Sequence, residues 1–316
     1  MKHFRRKISI YNENVVGYAF IMPWLIGFLC FTLVPFAMSF VLSFTNFNIL
    51  SQDTRFIGLD NYIKLFTQDK LFLKSLQVTF KFAFVSIPLR LIFALFVALI
   101  LNRKSKAVPI YRVVYYLPSI IGGSVAVSVM WRNLFTKAGV INSLLQAAGI
   151  NCQINWLSNT KTALFTLILL YVWQFGSSML IFLSGLKQIP VSYYEAAEVD
   201  GAGKLKQFFS ITLPLLSPII LFNLIMQIIN GFMVFTQAQI ITNGGPVNET
   251  LVYILYLYQN SFKYYEMGYG SAMAWILLMI VGFFTAIVFK SSNQWVFYEN
   301  NSGLTKQKKK KGEKTA

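Results

Sequence analysis

Tyr193-Tyr-Glu-Ala-Ala-Glu-Val-Asp-Gly-Ala-Gly-Lys-Leu-Lys-Gln-Phe-Phe-Ser-Ile-Thr-Leu-Pro-Leu-Leu-Ser-Pro218 is an amphipathic segment carrying both charge signs, set between two long hydrophobic runs. Glu195, Ala196 and Ala197 open a short helix, with Glu198 and Asp200 close behind. Gly201 supplies a bend that a β-carbon would disfavour. A second short helix is expected to follow, with Leu205, Phe208, Phe209 and Leu213 as its apolar positions, and Pro214 and Pro218 mark entry to the next hydrophobic run. The reading is a helix-turn-helix hung under a bilayer, acidic in front and apolar behind.

The surrounding chain fits that setting. Its 316 residues are 56% hydrophobic and only 12% charged, against roughly a quarter charged in soluble domains. A net charge of +17 would also suit a nucleic-acid binder, but the charges lie between and beyond the hydrophobic runs, as lysine and arginine do near membrane ends. Cys30 sits inside a hydrophobic run and Cys152 in a loop, so no disulfide framework is implied. One histidine and two cysteines leave little for a transition-metal site.

Six runs are long enough to cross a bilayer, which takes roughly 20 apolar residues: about Val15–Phe44, Val78–Leu101, Val113–Leu134, Thr162–Leu186, Leu215–Phe235 and Met267–Phe289. The first follows a basic front but is far longer than a signal-peptide core and is read as a retained span. The expected fold is therefore all-α, a polytopic membrane protein of six transmembrane helices. It divides into an amino-terminal segment, 1–14, a six-span domain, 15–290, containing segment 193–218, and a polybasic tail, 291–316. Six spans put both termini on one side. The face that receives the termini, the Arg103–Arg112 loop and segment 193–218 carries about twice the lysine and arginine of the other, which makes it cytoplasmic. In the outer loops, Phe56–Tyr62 turns into a short interfacial helix, Gly139–Asn142 starts another, and Gly244-Gly245-Pro246 forces a tight turn. The default role of the lysine tail is weak attraction to anionic lipid.

No catalytic constellation assembles from the residues. There is no Walker A loop and no His-Glu pair at metal spacing, and the six runs hold no Asp or Glu, where a proton-coupled carrier usually keeps a relay. On the fifth run Asn223, Gln227, Asn230 and Gln237 fall within an arc of roughly 80° at 100° per residue. They read either as a polar path for a hydroxyl-rich solute or as interhelical glue. On the fourth, Tyr171, Gln174, Ser177 and Ser178 share a face beside Trp173, which suits a sugar or plain packing. Arg90, mid-run after Pro88, needs a partner: carbonyls freed by that proline, water, or an acid on another subunit.

Segment 193–218 resembles the E-A-A signature of permease subunits of binding-protein-dependent ABC importers. Glu195, Ala196, Ala197, Gly201, Ile211, Leu213 and Pro214 meet its spacing. The resemblance extends from about Met22 to Ala286 in the sugar-type branch. It is carried by Arg112, Leu117-Pro118, Trp131, Phe135, Gly139 and Asn142; by Leu183, Gly185, Leu186, Ile189 and Pro190; and by Thr242, Gly244-Gly245-Pro246, Thr250, Gly268-Tyr269 and Ala272. Asn243 stands where that branch commonly has a third glycine, and asparagine also tolerates left-handed geometry. The pattern is similar to the first permease of the maltose, glycerol-phosphate and multiple-sugar systems, without the large outer domain and additional spans of the maltose protein.

The resemblance implies a type I importer permease in a bacterial inner membrane, half of a carbohydrate pathway, with no enzymatic activity of its own. It implies a second permease subunit, two ATPase copies and an extracellular solute-binding protein, with ATP and Mg held by the ATPase and no cofactor in this chain. Glu195, Ala196, Ala197, Asp200, Gly201 and Pro214 would couple to the ATPase. Trp173, Gln174, Asn223, Gln227, Asn230 and Gln237 are the candidates for the substrate path. The rival reading, a self-powered secondary carrier of a polar solute, would need an ion site and usually internal repeats.

Overall fold

The computed structural model describes residues 13–51, 54–103, 105–150 and 153–297. The basic residues up to 12 and the lysine-rich tail from 298 onward lie outside the described residues. Regular structure among the described residues is helical, apart from one isolated bridge between Thr45 and Phe56. Among the described residues, four helices are long and apolar enough to cross a membrane: Val16–Leu42, Lys70–Leu101, Lys204–Phe232 and Met267–Trp295. Two bent pairs bring the count to six if each pair is one span: Val108–Ile121 with Val125–Leu134, bent by 98°, and Ala163–Trp173 with Gly176–Leu186, bent by 40°. The third and fourth hydrophobic runs are thus broken helices where the sequence suggested continuous ones. The sixth helix runs on to Trp295, five residues past the expected end of the membrane domain.

The second span is also longer than hydropathy suggested. Its 32 residues amount to about 48 Å at 1.5 Å per residue, well beyond a hydrocarbon core of about 30 Å. The extra turns lie at the start, where the Asp69 carboxylate caps the Phe72 amide at 2.9 Å and accepts the Tyr256 hydroxyl at 2.7 Å.

Proline explains two irregularities. A proline ring collides with the carbonyl four residues back and donates no hydrogen bond. Two π-turns, Leu29–Leu33 and Phe208–Thr212, each end two residues before a proline, Pro35 and Pro214. In each the amide just before the proline reaches back five residues, Val34 to Leu29 and Leu213 to Phe208. The extra residue per turn takes the offending carbonyl out of the way, and the helix survives.

The described residues divide into two compact units, one formed by those up to 68 with 257–276, the other by 69–256 with those from 277 to 297. In the first, Phe36 and Phe40 pack on Trp275 at ring-centre distances of 4.6 and 4.7 Å. Its long apolar span nevertheless keeps Phe20, Trp24 and Phe31 largely exposed, as befits a surface made for lipid or a neighbouring subunit. In the second unit the Lys70–Leu101 helix packs against the fourth and fifth spans. Ala94, Ala98, Met179, Phe182 and Leu216 are fully or almost fully buried there.

Candidate functional site

The signature segment forms an elbow. Pro190 sits just before the Val191–Val199 helix, which buries no residue fully and packs the half-buried Tyr194 against the core. Its end is finished by backbone alone. Gly201 takes φ +74°, its amide donates to the Glu198 carbonyl at 3.0 Å, and the Ala202 amide donates to the Ala197 carbonyl at 2.8 Å. These two bonds around a left-handed residue make a Schellman motif, in which glycine avoids the β-carbon penalty. Across the turn Lys204 donates to Glu198, which holds that carboxyl below its ordinary range. The expected second short helix is not separate. Lys204–Gln207 runs through the π-turn into Leu213–Phe232 as one helix, so Pro214 lies inside it.

The elbow is tied to the base of the fifth span. Tyr194 and Thr212 share a hydrogen bond of 2.9 Å. The Gln207 side-chain Nε2 donates to the Ala202 carbonyl at 2.9 Å. Pro218 cannot offer an amide to the Pro214 carbonyl, and the Ser217 hydroxyl fills that place at 2.6 Å. The same Ser217 oxygen accepts the Phe297 amide at 2.8 Å, so the end of the sixth helix meets the elbow. Between them lies a groove of about 380 Å³ bordered by Tyr193, Ala196, Ala197, Asp200, Pro214 and Phe297. Glu195 and Asp200 are exposed, and Val199 and Leu205 present most of their surface outward.

The broken spans meet in a buried polar joint. The Gln174 carbonyl, freed where the fourth span bends, accepts Arg90 Nη2 and the Ser119 hydroxyl at 2.8 Å. Ser119 in turn accepts the Ser177 amide at 3.0 Å. The Gln174 side chain donates to the Gly122 carbonyl at 3.2 Å, at the 98° bend of the third span. Both bends need close approach: a β-carbon on Gly176 would lie 2.3 Å from the Tyr115 carbonyl oxygen, and one on Gly122 would lie 2.4 Å from the Gln174 side chain. The Arg90 guanidinium also lies 4.4 Å from the centre of the Tyr171 ring. The Tyr171 hydroxyl donates to Gln227 Oε1 at 3.0 Å, and Gln227 Nε2 donates to Ser178 at 3.0 Å. The arginine that sequence alone left without a role therefore braces the fourth span's break. Its carbonyl partner belongs to Gln174 and not to the turn around Pro88.

The amide arc of the fifth span keeps three of its four members on one helix face, and they differ in burial. Asn223 and Gln227 are buried, and Asn223 donates to the Ile219 carbonyl of its own helix at 3.2 Å. Asn230 is exposed. Gln237 lies beyond the end of the helix at Phe232 and precedes a π-turn, Ala238–Thr242, so a rotation of 100° per residue does not carry across to it. Gln174 is buried, whereas Trp173 is partly open and packs on Trp131 at 5.7 Å between ring centres. Of the six path candidates, Trp173, Asn230 and Gln237 remain accessible, and Gln174 and Gln227 bond one span to another. Ser119, Gly122 and the Ser177 amide were missed at this joint. The run Pro118-Ser119 followed by Gly122-Gly123-Ser124 was the available signal, since proline and paired glycine inside an apolar run mark a kink.

Other positions that carried the resemblance have structural partners. Asn142 donates to the Lys137 and Ile154 carbonyls and accepts from Trp156. Trp131 donates to the Thr166 carbonyl at 3.1 Å. Asn243 takes φ +46°, the left-handed geometry expected of it.

These features define a polytopic helical membrane protein with broken central spans and a glycine-hinged elbow. Residues 72–298 match the family of binding-protein-dependent transport system inner membrane components, and the chain belongs to that family. It is 56% identical over 298 residues to the probable ABC transporter permease protein YesP of Bacillus subtilis (strain 168), covering 94% of this chain and 96% of YesP. It is 33% identical over 290 residues to the arabinooligosaccharides transport system permease protein AraP of the same organism, covering 90% and 91%. A chain from the crystal structure of a bacterial alginate ABC transporter, in complex with an alginate pentasaccharide-bound periplasmic protein, shares the fold. Its TM-score is 0.74 at 21% identity, over 89% of this chain and 94% of that one.

Proposed function

We propose that this chain is one permease subunit of an ATP-driven carbohydrate importer, supplying half of the pathway and one mechanical lever. The observation that carries the reading is the elbow: a glycine-hinged helix with no fully buried residue, placed under the fifth span and rich in exposed acid and small side chains. Such a surface is built to receive something. Its family role favours an ATPase that binds ATP and Mg, two copies of it serving this chain and a second permease, with a solute-binding protein on the opposite face. Carbohydrate is favoured because relatives such as AraP are named for oligosaccharide transport. Glu195 meets a basic residue of the ATPase, Ala196 and Ala197 let the helix lie close, and Asp200, Gly201 and Pro214 shape the joint to the fifth span. Trp173, Asn230 and Gln237 face the solute.

The excess of lysine and arginine on one face supports a cytoplasmic elbow and cytoplasmic termini. Purification from the native membrane should bring down an ATPase and a second permease, and the complex should hydrolyse ATP faster with loaded binding protein. In the same membranes, cysteines replacing Asn48 and Asn248 should label from outside and one replacing Ser105 should not. Isolation alone, or external labelling at position 105, contradicts the reading.

A further inference from the structure

In the first unit, the chain after the first span folds back on the start of the sixth and encloses a pocket of about 470 Å³, within the range of small-ligand sites. The frame is held by groups that do not need the pocket's charges. Asn61 donates to the Ser43 and Thr45 carbonyls, both at 2.9 Å. The Gly268 amide donates to the Phe47 carbonyl at 2.9 Å and the Ile49 amide to the Tyr265 carbonyl at 3.2 Å. On that frame stand Asp60, Lys64, Gln68, Glu266 and Tyr269.

The polar capacity of Asp60, Lys64 and Glu266 is largely unspent. Lys64 and Glu266 form an ion pair at 3.7 Å, beyond hydrogen-bond length. Lys64 also lies 4.6 Å from the centre of the Tyr269 ring. The Asp60 carboxylate, at the first turn of the Asp60–Thr67 helix, is exposed. Tyr265, immediately before Glu266, is held at φ +61°. A bulky residue in that region is unusual and marks strain that the surroundings must enforce; here it sets the backbone from which Glu266 reaches the rim.

Acceptors, an ammonium donor and an amide around one aromatic ring match vicinal hydroxyls, each of which donates and accepts. Two carboxylates against one ammonium disfavour an anionic ligand. We propose that this pocket is a subsite for the end of a neutral oligosaccharide, with Asp60 and Glu266 accepting from ring hydroxyls and Lys64 donating to them. The inference rests on the carbohydrate reading above and adds a place of contact distinct from Trp173, Asn230 and Gln237.

The test uses the assembled transporter in lipid nanodiscs, without binding protein or nucleotide, and saturation-transfer NMR with maltotriose and arabinotriose. At least one trisaccharide should bind. Affinity should fall about tenfold, as loss of one or two charge-assisted hydrogen bonds would give, in the Asp60→Asn/Glu266→Gln double variant. Lys64→Met should weaken binding independently, and thermal melts identify a variant that has lost its fold. Three results overturn the subsite: no trisaccharide bound, equal binding by both folded variants, or Ca²⁺ held in place of sugar. Uptake by proteoliposomes with binding protein and ATP separates the two readings. Oligosaccharide uptake without pocket binding removes the subsite alone, whereas import confined to non-carbohydrate solutes removes the carbohydrate reading.

Discussion

The chain breaks its helices at Gly201 and at Gln174, and it finishes the two breaks by different means. At Gly201 the freed carbonyls of Ala197 and Glu198 are taken by amides three to five residues onward, within one exposed turn. At Gln174 the freed carbonyl is taken by Arg90 from the second span and Ser119 from the third. The first break is closed locally, and the Tyr194–Thr212 and Gln207–Ala202 bonds tie it to the fifth span. The second is a shared joint: loosening any partner leaves polar groups unmatched in a medium that cannot solvate them. The proposed lever uses the first kind, and the packed spans use the second.

Of the two breaks, the joint should be the more sensitive to substitution. Gly176→Ala puts a carbon 2.3 Å from the Tyr115 carbonyl oxygen, and backbone must move to admit it. Overpacking of this kind costs about 1–3 kcal/mol. The purified complex should melt earlier or fail to assemble, and an unchanged melt would mean that the third and fourth spans do not meet as described. A smaller and more selective effect is expected on the fifth span. Gln227→Leu removes the bonds to Tyr171 and Ser178, each worth about 1 kcal/mol net, and should lower thermal stability. Asn230→Leu should leave the melt alone and reduce solute uptake. The reverse pattern would exchange their roles.

The least effect is expected at the elbow's surface pair. Glu198 is exposed and its carboxyl is held low by Lys204. A depressed carboxyl adds stability above its unfolded pKa and loses it as pH falls through the folded value. Glu198→Gln should therefore change nothing measurable in the melt at neutral pH, because exposed pairs contribute little. A marked loss at pH 7 would show that backbone alone does not close this break.

The same contrast governs what was legible in the sequence. Gly201 could be read because a Schellman turn depends on residues adjacent in the chain, and Asn243 could be read for a similar reason. Hydropathy located all six runs, yet it could not show that the third bends by 98° or that the elbow's second helix is continuous with the fifth span. The π-turn that preserves that continuity spends one extra residue, a change in hydrogen-bond register that no side chain announces. Arg90 was conspicuous by its cost, but its partner is a backbone carbonyl 84 residues away, and any residue type could have supplied it. Gln237 was misplaced for the opposite reason: helical periodicity was extended past Phe232, where the helix ends.

If the elbow transmits ATP hydrolysis as proposed, Gly201→Val should reveal it most directly. Nothing lies within 4 Å of a β-carbon at this position, so the substitution acts through the backbone at φ +74° and not through a clash. Left-handed geometry costs an ordinary residue about 1–2 kcal/mol, and a β-branched one resists it further. In reconstituted complexes the spans, assembly of the two permeases and solute specificity should survive, while solute-stimulated hydrolysis is lost or the ATPase dissociates. Glu195→Lys in the same assay should act in the same direction. Normal coupled transport in both variants would contradict the assignment of this segment as the lever.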